Sequence, residues 1–516
     1  MGNDEKNKEL KELKKRSKIG GGAERVEKHR KQGKLTARDR IDSLLDPGTF
    51  VEFDAFVTHQ SSHFGMDKNK LPGDGVVTGH GTIDGRQVFV FAQDFTVFAG
   101  SVGKMHAMKI CKVYDMAVKT GCPIIGIYDT GGARIQEGAE ALRGFGEFFF
   151  RCSLASGVIP QIAMVMGPCA GGMTFGPGLA DFVLMVNKKS HMFMIGPDVI
   201  KAVQNEDVTV EELGGASMHA LKSGTSHFTC EDDLECIKKT KKLLSFLPSN
   251  NLDNAPYQKS KDDPERRDES LDSVVPEDPQ KPYEMKEVIR KIVDSGEYFE
   301  VQETYAKNVT VGFARMDGSV VGIVGNEPSV FAGTLDNLSS VKAARFVRFC
   351  DAFNIPIVTL VDVPGYLPSK EQEFDGLIRN SSKLLYAYCE ASTPKITLVT
   401  RKAIGGAYCV MSSKHIRSDI NLAWPSAEIA VVGAEGAINI VYKQELIMAD
   451  DPQAKRDELI SAYKKEYASA YIAAERGFID DIIEPKETRP RLISALKMLE
   501  RKRETRPAKK HGNMPL

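Results

Sequence analysis

An eight-residue phrase occurs twice in this chain, as TVFAGSVG at residues 96–103 and as SVFAGTLD at residues 329–336. Phe98 and Phe331 lie 233 residues apart, and other landmarks keep that spacing. Asp84 and Gly85 in GTIDGRQVFVF correspond to Asp317 and Gly318 in ARMDGSVVGIV. Pro123 and Asp129 in CPIIGIYDTGG correspond to Pro356 and Asp362 in IPIVTLVDVPG. Beyond these, Pro160 in IPQIAMVMGPCAGG faces Pro394 in TPKITLVTRKAIGG at a spacing of 234. Upstream, DPGTFVEF from Asp46 matches DSGEYFEV from Asp294 at a spacing of 248, so the first copy holds about 15 extra residues near 59–73. The period is domain-sized, which argues against a solenoid and for two copies of one fold.

Within each copy, strand-like apolar runs alternate with helical periods. RQVFVFAQDF, CPIIGIYD and QIAMVMG are strand-like, and MHAMKICKVYDMAVKTG repeats apolar residues at three- and four-residue steps before Gly121, a helix C-cap. This alternation predicts two α/β domains. KNKELKELKKRSK, before the glycines at 20–22, reads as a charged helix. Residues 249–284 are polar and hold five prolines, so little can be buried there. The expected division is an N-terminal domain at residues 1–255, a polar proline-rich linker at 256–282 and a C-terminal domain at 283–516.

At 516 residues the chain is long enough for full cores in both copies. A net charge of −1 offers no overall field for nucleic acid or an anionic membrane. The first 40 residues are basic, with 14 Lys and Arg against 7 Asp and Glu, and lack the apolar core of a signal peptide. The uncharged run at 154–180 is broken by three prolines and six glycines, which argues against membrane insertion. Nine cysteines are scattered without a C-x-x-C pair, so no metal site is expected and a reduced, cytoplasmic setting is the simplest reading.

Three glycine-rich turns follow strands in each copy: FAGS, DTGGAR and GPCAGG in the first, FAGT, DVPGYLP and KAIGGAY in the second. Such turns serve tight packing, or they let a ligand approach backbone N–H groups at a helix start. No phosphate-loop G-x-x-x-x-G-K-[ST], H-E-x-x-H or G-x-S-x-G occurs. What remains is oxyanion stabilisation by backbone amides.

YDTGGARIQEG, GPCAGG, FVRFCDAFNIPIVTLVDVPGYLP, KLLYAYCEASTPKITLVTRKAIGGAY and AWPSAEIAVVGAEGA resemble the signatures of the carboxyltransferase β subunits of propionyl-CoA and related acyl-CoA carboxylases. The resemblance runs from about residue 20 to the end. It implies two duplicated crotonase-like domains, each a ββα superhelix. It also implies a hexamer, a trimer of dimers, whose active site lies between the N-domain of one subunit and the C-domain of its partner. The implied reaction moves a carboxyl group from carboxybiotin to the α-carbon of a short acyl-CoA, propionyl-CoA or acetyl-CoA. Biotin arrives on a separate carrier protein loaded by a separate biotin carboxylase.

By this resemblance Gly171 and Gly172 hold the thioester oxygen, and Gly406 and Ala407 hold the biotin ureido oxygen. Phe98, Ala99 and Gly100 line the acyl-CoA cleft; Phe331, Ala332 and Gly333 line the biotin cleft, beside Gly405 and Tyr408. Arg134, with Arg38 or Arg40, is a candidate for the CoA phosphates, against a role in structural ion pairs. Cys409 lines the acyl pocket and leaves room for a short chain. AMKI, around Lys109, is similar to a biotinylation motif but lies in a helical stretch. The chain departs from the family at Asp375-Gly376, at Asn380-Ser381 and around Arg417. A methylmalonyl-CoA decarboxylase α subunit, running the half-reaction backwards, is the alternative. A hydratase would need carboxylates at the thioester site, for which Glu137 and Glu140 are available.

Overall fold

The computed structural model describes residues 2–278 and 281–515. The chain forms two compact units, Met1–Asn254 and Ala255–Leu516. The first holds strands β1 (Val51–Phe53), β2 (Val76–Ile83), β3 (Arg86–Gln93), β4 (Ile124–Thr130), β5 (Gln161–Ala170), β6 (Phe182–Val186), β7 (His191–Phe193) and β8 (Phe228–Cys230). The second holds β9 (Tyr298–Val301), β10 (Val309–Met316), β11 (Ser319–Asn326), β12 (Ile357–Val363), β13 (Lys395–Ile404), β14 (Ile420–Ala423), β15 (Glu428–Ala430) and β16 (Asp481–Ile482).

The sheets are copies in topology. The first runs β1-β2-β3-β4-β5-β6-β8 with β7 beside β5; the second runs β9-β10-β11-β12-β13-β14-β16 with β15 beside β13. In each, an antiparallel start gives way to parallel strands reached through helical crossovers. The register breaks at the same place in both, between Tyr128 and Thr130 and between Val361 and Val363. The two α/β domains expected from the duplication are therefore the architecture observed.

Local chemistry explains why the copies fold alike. Two-residue Asp-Gly turns join β2 to β3 and β10 to β11, with all four residues at positive φ, the conformation of a type I′ hairpin. Asp46 and Asp294 clamp these turns: the amides of Asp84 and Gly85 donate to Asp46, and those of Asp317 and Gly318 to Asp294. The helix Lys104–Thr120 ends on left-handed Gly121; its counterpart Asn337–Ala352 is followed by left-handed Asn354, the other residue tolerant of that conformation. Each helix packs an apolar face onto its own sheet and closes a separate core, the first around Phe91, Tyr114 and Phe148.

From Ala255 onward, the polar stretch expected to bury little belongs to the second unit. Leu271 is buried in that unit's core, and Arg266 donates to the carbonyl of Lys291. Its one described helical turn, the 3-10 helix Glu269–Ser273, carries Leu271, and that leucine with a few side-chain bonds pins an otherwise irregular segment. The AWP segment supplies Trp424, fully buried in the same core, with its indole N–H donating to Thr488.

Candidate active site

The repeated FAG phrase is a strained turn in both units. Phe98 and Ala99 have φ of 51° and 53°; Phe331 and Ala332 have 48° and 55°. Two successive non-glycine residues in the left-handed region cost about 1–3 kcal/mol each and persist where surroundings over-determine them. The glycine that follows is obligatory. A Cβ on Gly100 would lie 2.3 Å from the Asp129 carbonyl oxygen, and one on Gly333 would lie 2.5 Å from that of Asp362. Each turn is thus pressed against the end of a central strand. Ala99 is exposed and Phe331 is 63% exposed, so both turns present their tips outward.

Strands β5 and β13 each run into a short helix led by two glycines. Gly171 and Gly405 have φ of 62° and 64°, and Gly172 and Gly406 begin the helical turn. Amides in the first turn of a helix lack intrahelical acceptors and face an approaching anion. Among the described residues, no heavy atom beyond the adjoining chain lies within 4 Å of where a Cβ on Gly171 or Gly406 would stand. These glycines border open space, whereas packing glycines such as Gly167 have none. The structure pairs Gly171 with Gly405 and Gly172 with Gly406. The amide pairs expected from the resemblance, Gly171 with Gly172 and Gly406 with Ala407, are therefore one position out of register. Ala407 itself is buried, like Met173 at its equivalent place.

The arginines nominated for CoA phosphates have other engagements. Arg134 is 1% exposed; it pairs with Asp74 at 2.5 Å and Glu137 at 3.0 Å, donates to the Ser101 carbonyl and lies over the Phe98 ring. Arg40 is wholly buried between Asp129 and Asp233. Arg38 makes a two-pronged pair with Glu52. Desolvation raises the Asp74 carboxyl despite the Arg134 charge beside it. Arg134 and Arg40 thus act as internal braces, the ion-pair role weighed against phosphate binding. Glu137 is held on both oxygens, by Arg134 and by the Lys104 amide, and Glu140 pairs with Lys104. Neither carboxylate is arranged for hydration chemistry.

In the second unit, Tyr408 is buried with no hydrogen-bond partner for its hydroxyl among the described residues, and burial raises its pKa. Half-buried Cys409 is pushed up by burial, as is Tyr366. At the departures from the family pattern, Gly376 caps the helix Leu377–Glu390, Asn380 donates to Asn337, and the Ser381 hydroxyl donates to the Leu377 carbonyl. Arg417 occupies a left-handed turn. Lys109 is 2% exposed with its ammonium on backbone carbonyls, so it is no attachment point for biotin. Sequence reading did not single out Asp74 or Asn308, which brace the FAG turns; no motif marks them.

Among the described residues, no helix is long and apolar enough to cross a membrane, and no group of three or more His, Cys, Asp or Glu side chains could hold a metal ion. All nine cysteines are free thiols.

The carboxyl transferase domain family matches residues 28–514. A propionyl-CoA carboxylase carboxyltransferase subunit from Haloferax mediterranei is 56% identical over 508 residues, covering 98% of each chain. A methylmalonyl-CoA decarboxylase α subunit from Veillonella parvula is 55% identical over 97% of this chain and 96% of its own. The transcarboxylase 12S crystal structure, a hexamer with methylmalonyl-coenzyme A and methylmalonic acid bound, superposes with a TM-score of 0.98 at 51% identity, covering 100% of this chain and 99% of that one. With its duplicated units and glycine-led helix starts, this chain belongs to the carboxyl transferase domain family and is an acyl-CoA carboxyltransferase.

Proposed function

We propose that the chain transfers a carboxyl group from carboxybiotin, borne on a separate carrier protein, to the α-carbon of propionyl-CoA, with acetyl-CoA as a second substrate. The observation that carries this reading is the pair of glycine-led helix starts at the same place in the two units, each bordering open space at one glycine, Gly171 in the first and Gly406 in the second. One oxyanion cradle per unit suits a reaction with two anion-forming partners.

Carboxybiotin supplies the activated carboxyl group and, once that group leaves, a ring nitrogen able to take the α-proton. The Gly171 and Gly172 amides bind the thioester oxygen, where negative charge gathers as the α-carbon loses its proton and forms the new carbon–carbon bond. The Gly406 and Ala407 amides bind the ureido oxygen. The FAG turns, Phe98 to Gly100 and Phe331 to Gly333, border the two substrates. Gly405 and Tyr408 flank the biotin side, and Cys409 leaves room for a short acyl chain. No carboxylate of this chain is asked to move a proton.

By analogy with the hexameric relative, the working assembly is a homo-oligomer, served in the cytoplasm by a biotin carboxylase and a biotin carboxyl carrier protein. The 55% identity to a decarboxylase α subunit favours one further reading, the same half-reaction run in reverse. The purified oligomer, given methylmalonyl-CoA and free biotin, should form propionyl-CoA only when biotin is present. Biotin-independent turnover would reject the proposal. Co-purification with a biotinylated partner, identified by mass spectrometry alongside its neighbours, separates carboxylase from decarboxylase.

A further inference from the structure

Two lysines at a spacing of 233 residues are buried where lysine is costly. Lys109, on the helix Lys104–Thr120, and Lys342, on Asn337–Ala352, are each 2% exposed. Among the described residues, neither ammonium is within ion-pair distance of a carboxylate. Lys342 Nζ donates to the carbonyls of Tyr305 at 2.7 Å, Val309 at 2.8 Å and Gln302 at 3.0 Å. Lys109 Nζ donates to the carbonyls of Gly73 at 2.8 Å and Val76 at 2.5 Å. Val76 and Val309 are equivalent, the first residues of β2 and β10. Each lysine therefore gathers the irregular segment leading into the same strand. An ammonium has three N–H donors, enough to satisfy carbonyls that an irregular segment leaves without ladder partners.

Both gathered segments reach the FAG turns. In the second unit, Asn308, one residue before Val309, donates through Nδ2 to the Thr334 carbonyl at 2.8 Å. In the first, Asp74, one residue after Gly73, holds Arg134, which donates to the Ser101 carbonyl at 2.8 Å. Ser101 and Thr334 are equivalent, each following its FAG glycine. The same carbonyl is thus braced in each unit, by different side chains, from a segment anchored on the same buried lysine. The FAG residues are strained in both units, so they need that bracing.

The geometry points to Lys342 as a positioning residue for the biotin-side turn, acting through Asn308, and to Lys109 as one for the acyl-CoA-side turn, acting through Asp74 and Arg134. This rests on the assignment of the two turns given above.

The test uses the intact oligomer and carboxyl transfer from methylmalonyl-CoA to free biotin, with both KM values measured. Lys342→Met keeps the side-chain length but removes the donors; Asn308→Asp removes the amide that donates to Thr334, and to Ser339 Oγ at 3.1 Å, and keeps the lysine. Each should raise the KM for free biotin about tenfold, keep that for methylmalonyl-CoA within about twofold, and speed amide exchange at residues 331–335. Lys109→Met should do the reverse, raising the KM for methylmalonyl-CoA. An unchanged biotin KM in folded Lys342→Met overturns the proposal, as does an equal rise in both constants, which marks general loosening. Should Lys342→Met fail to fold, Asn308→Asp decides by the same criteria. Gly406→Pro is the control: if it is crippled while Lys342→Met and Asn308→Asp bind biotin normally, the brace falls and the site assignment stands. If Gly406→Pro also transfers normally, the assignment falls and takes the brace with it.

Discussion

Asp129 and Asp362 occupy the same place in the two units, at the matching register breaks of β4 and β12, and both are fully buried. Their partners come from different parts of the chain. Asp362 is met by Arg401 of the adjacent strand at 2.9 Å and by the Lys402 amide at 3.0 Å. In the first unit those neighbours are Gly167 and Pro168. A Cβ on Gly167 would stand 1.9 Å from Asp129 Oδ1, and Pro168 has no amide hydrogen to give. The cation instead arrives from the helix Ala37–Leu44, as Arg40, which also binds Asp233 and the Met166 carbonyl. The comparison teaches that the duplicated fold preserves the buried carboxylate and its need for a cation, while leaving the source of that cation free. The basic N-terminal segment is in this respect a structural part of the first unit.

Replacing the two arginines sharpens the contrast. Arg40→Met removes the hydrogen-bonded cation of two buried carboxylates, leaving Asp129 only Lys34 at 3.8 Å and His29 at 3.7 Å, whereas Arg401→Met removes that of one. Breaking a buried pair costs about 3–5 kcal/mol, so Arg40→Met should sit at or above the upper end and Arg401→Met at the lower. Urea unfolding of each variant checks the order, and equal losses would show that Asp233 contributes little.

Proline at the equivalent positions Gly172 and Gly406 tests the two cradles. Gly171 has a φ of 62°, which proline cannot adopt, so Gly171→Pro would distort the turn as well as remove an amide. Gly172 and Gly406 lie in the first helical turn, where proline is tolerated. Each variant should lose about 10²–10³ in transfer rate with circular dichroism unchanged. Gly172→Pro should spare carboxybiotin decarboxylation measured without acyl-CoA, and Gly406→Pro should not.

Alanine at Gly100 or Gly333 drives a Cβ into the carbonyl oxygen of Asp129 or Asp362. A loss of about 1–3 kcal/mol is expected in each, read from thermal unfolding. Full stability in either would mean that its turn is less tightly pressed than its twin.

The smallest effect concerns pH. Burial pulls Lys342 down to about 7 and Lys109 to about 8. Around Lys342 stand Glu300, Glu303 and Lys286; around Lys109, Glu52, Asp54, Asp74 and Arg38. Both lysines remain protonated in the unfolded chain up to its ordinary lysine range. Unfolding therefore takes up protons above each folded value, and stability from these groups rises with pH. Lys342→Met should flatten the dependence of unfolding midpoints on pH between about 7 and 8, whereas Lys109→Met should act only above about 8.

The duplication, the α/β class and the ends of most central elements were legible in the sequence, because they rest on local chemistry. Asp-Gly turns, Gly121 as a cap and apolar runs bounded by turn residues carry their own instructions. The glycines at 171–172 and 405–406 were visible for the same reason, since Gly171 and Gly405 take a positive φ that favours glycine at a strand-to-helix turn. Tertiary structure decided what each charged side chain is for. Arg134 and Arg40 look like phosphate ligands in a string of letters and prove to be braces, because their carboxylates come from residues 60 and 89 positions away. Leu271 belongs to a core although its neighbours are polar. A backbone conformation can be demanded by one residue, but an ion pair or a cradle of carbonyls exists only after distant segments have met.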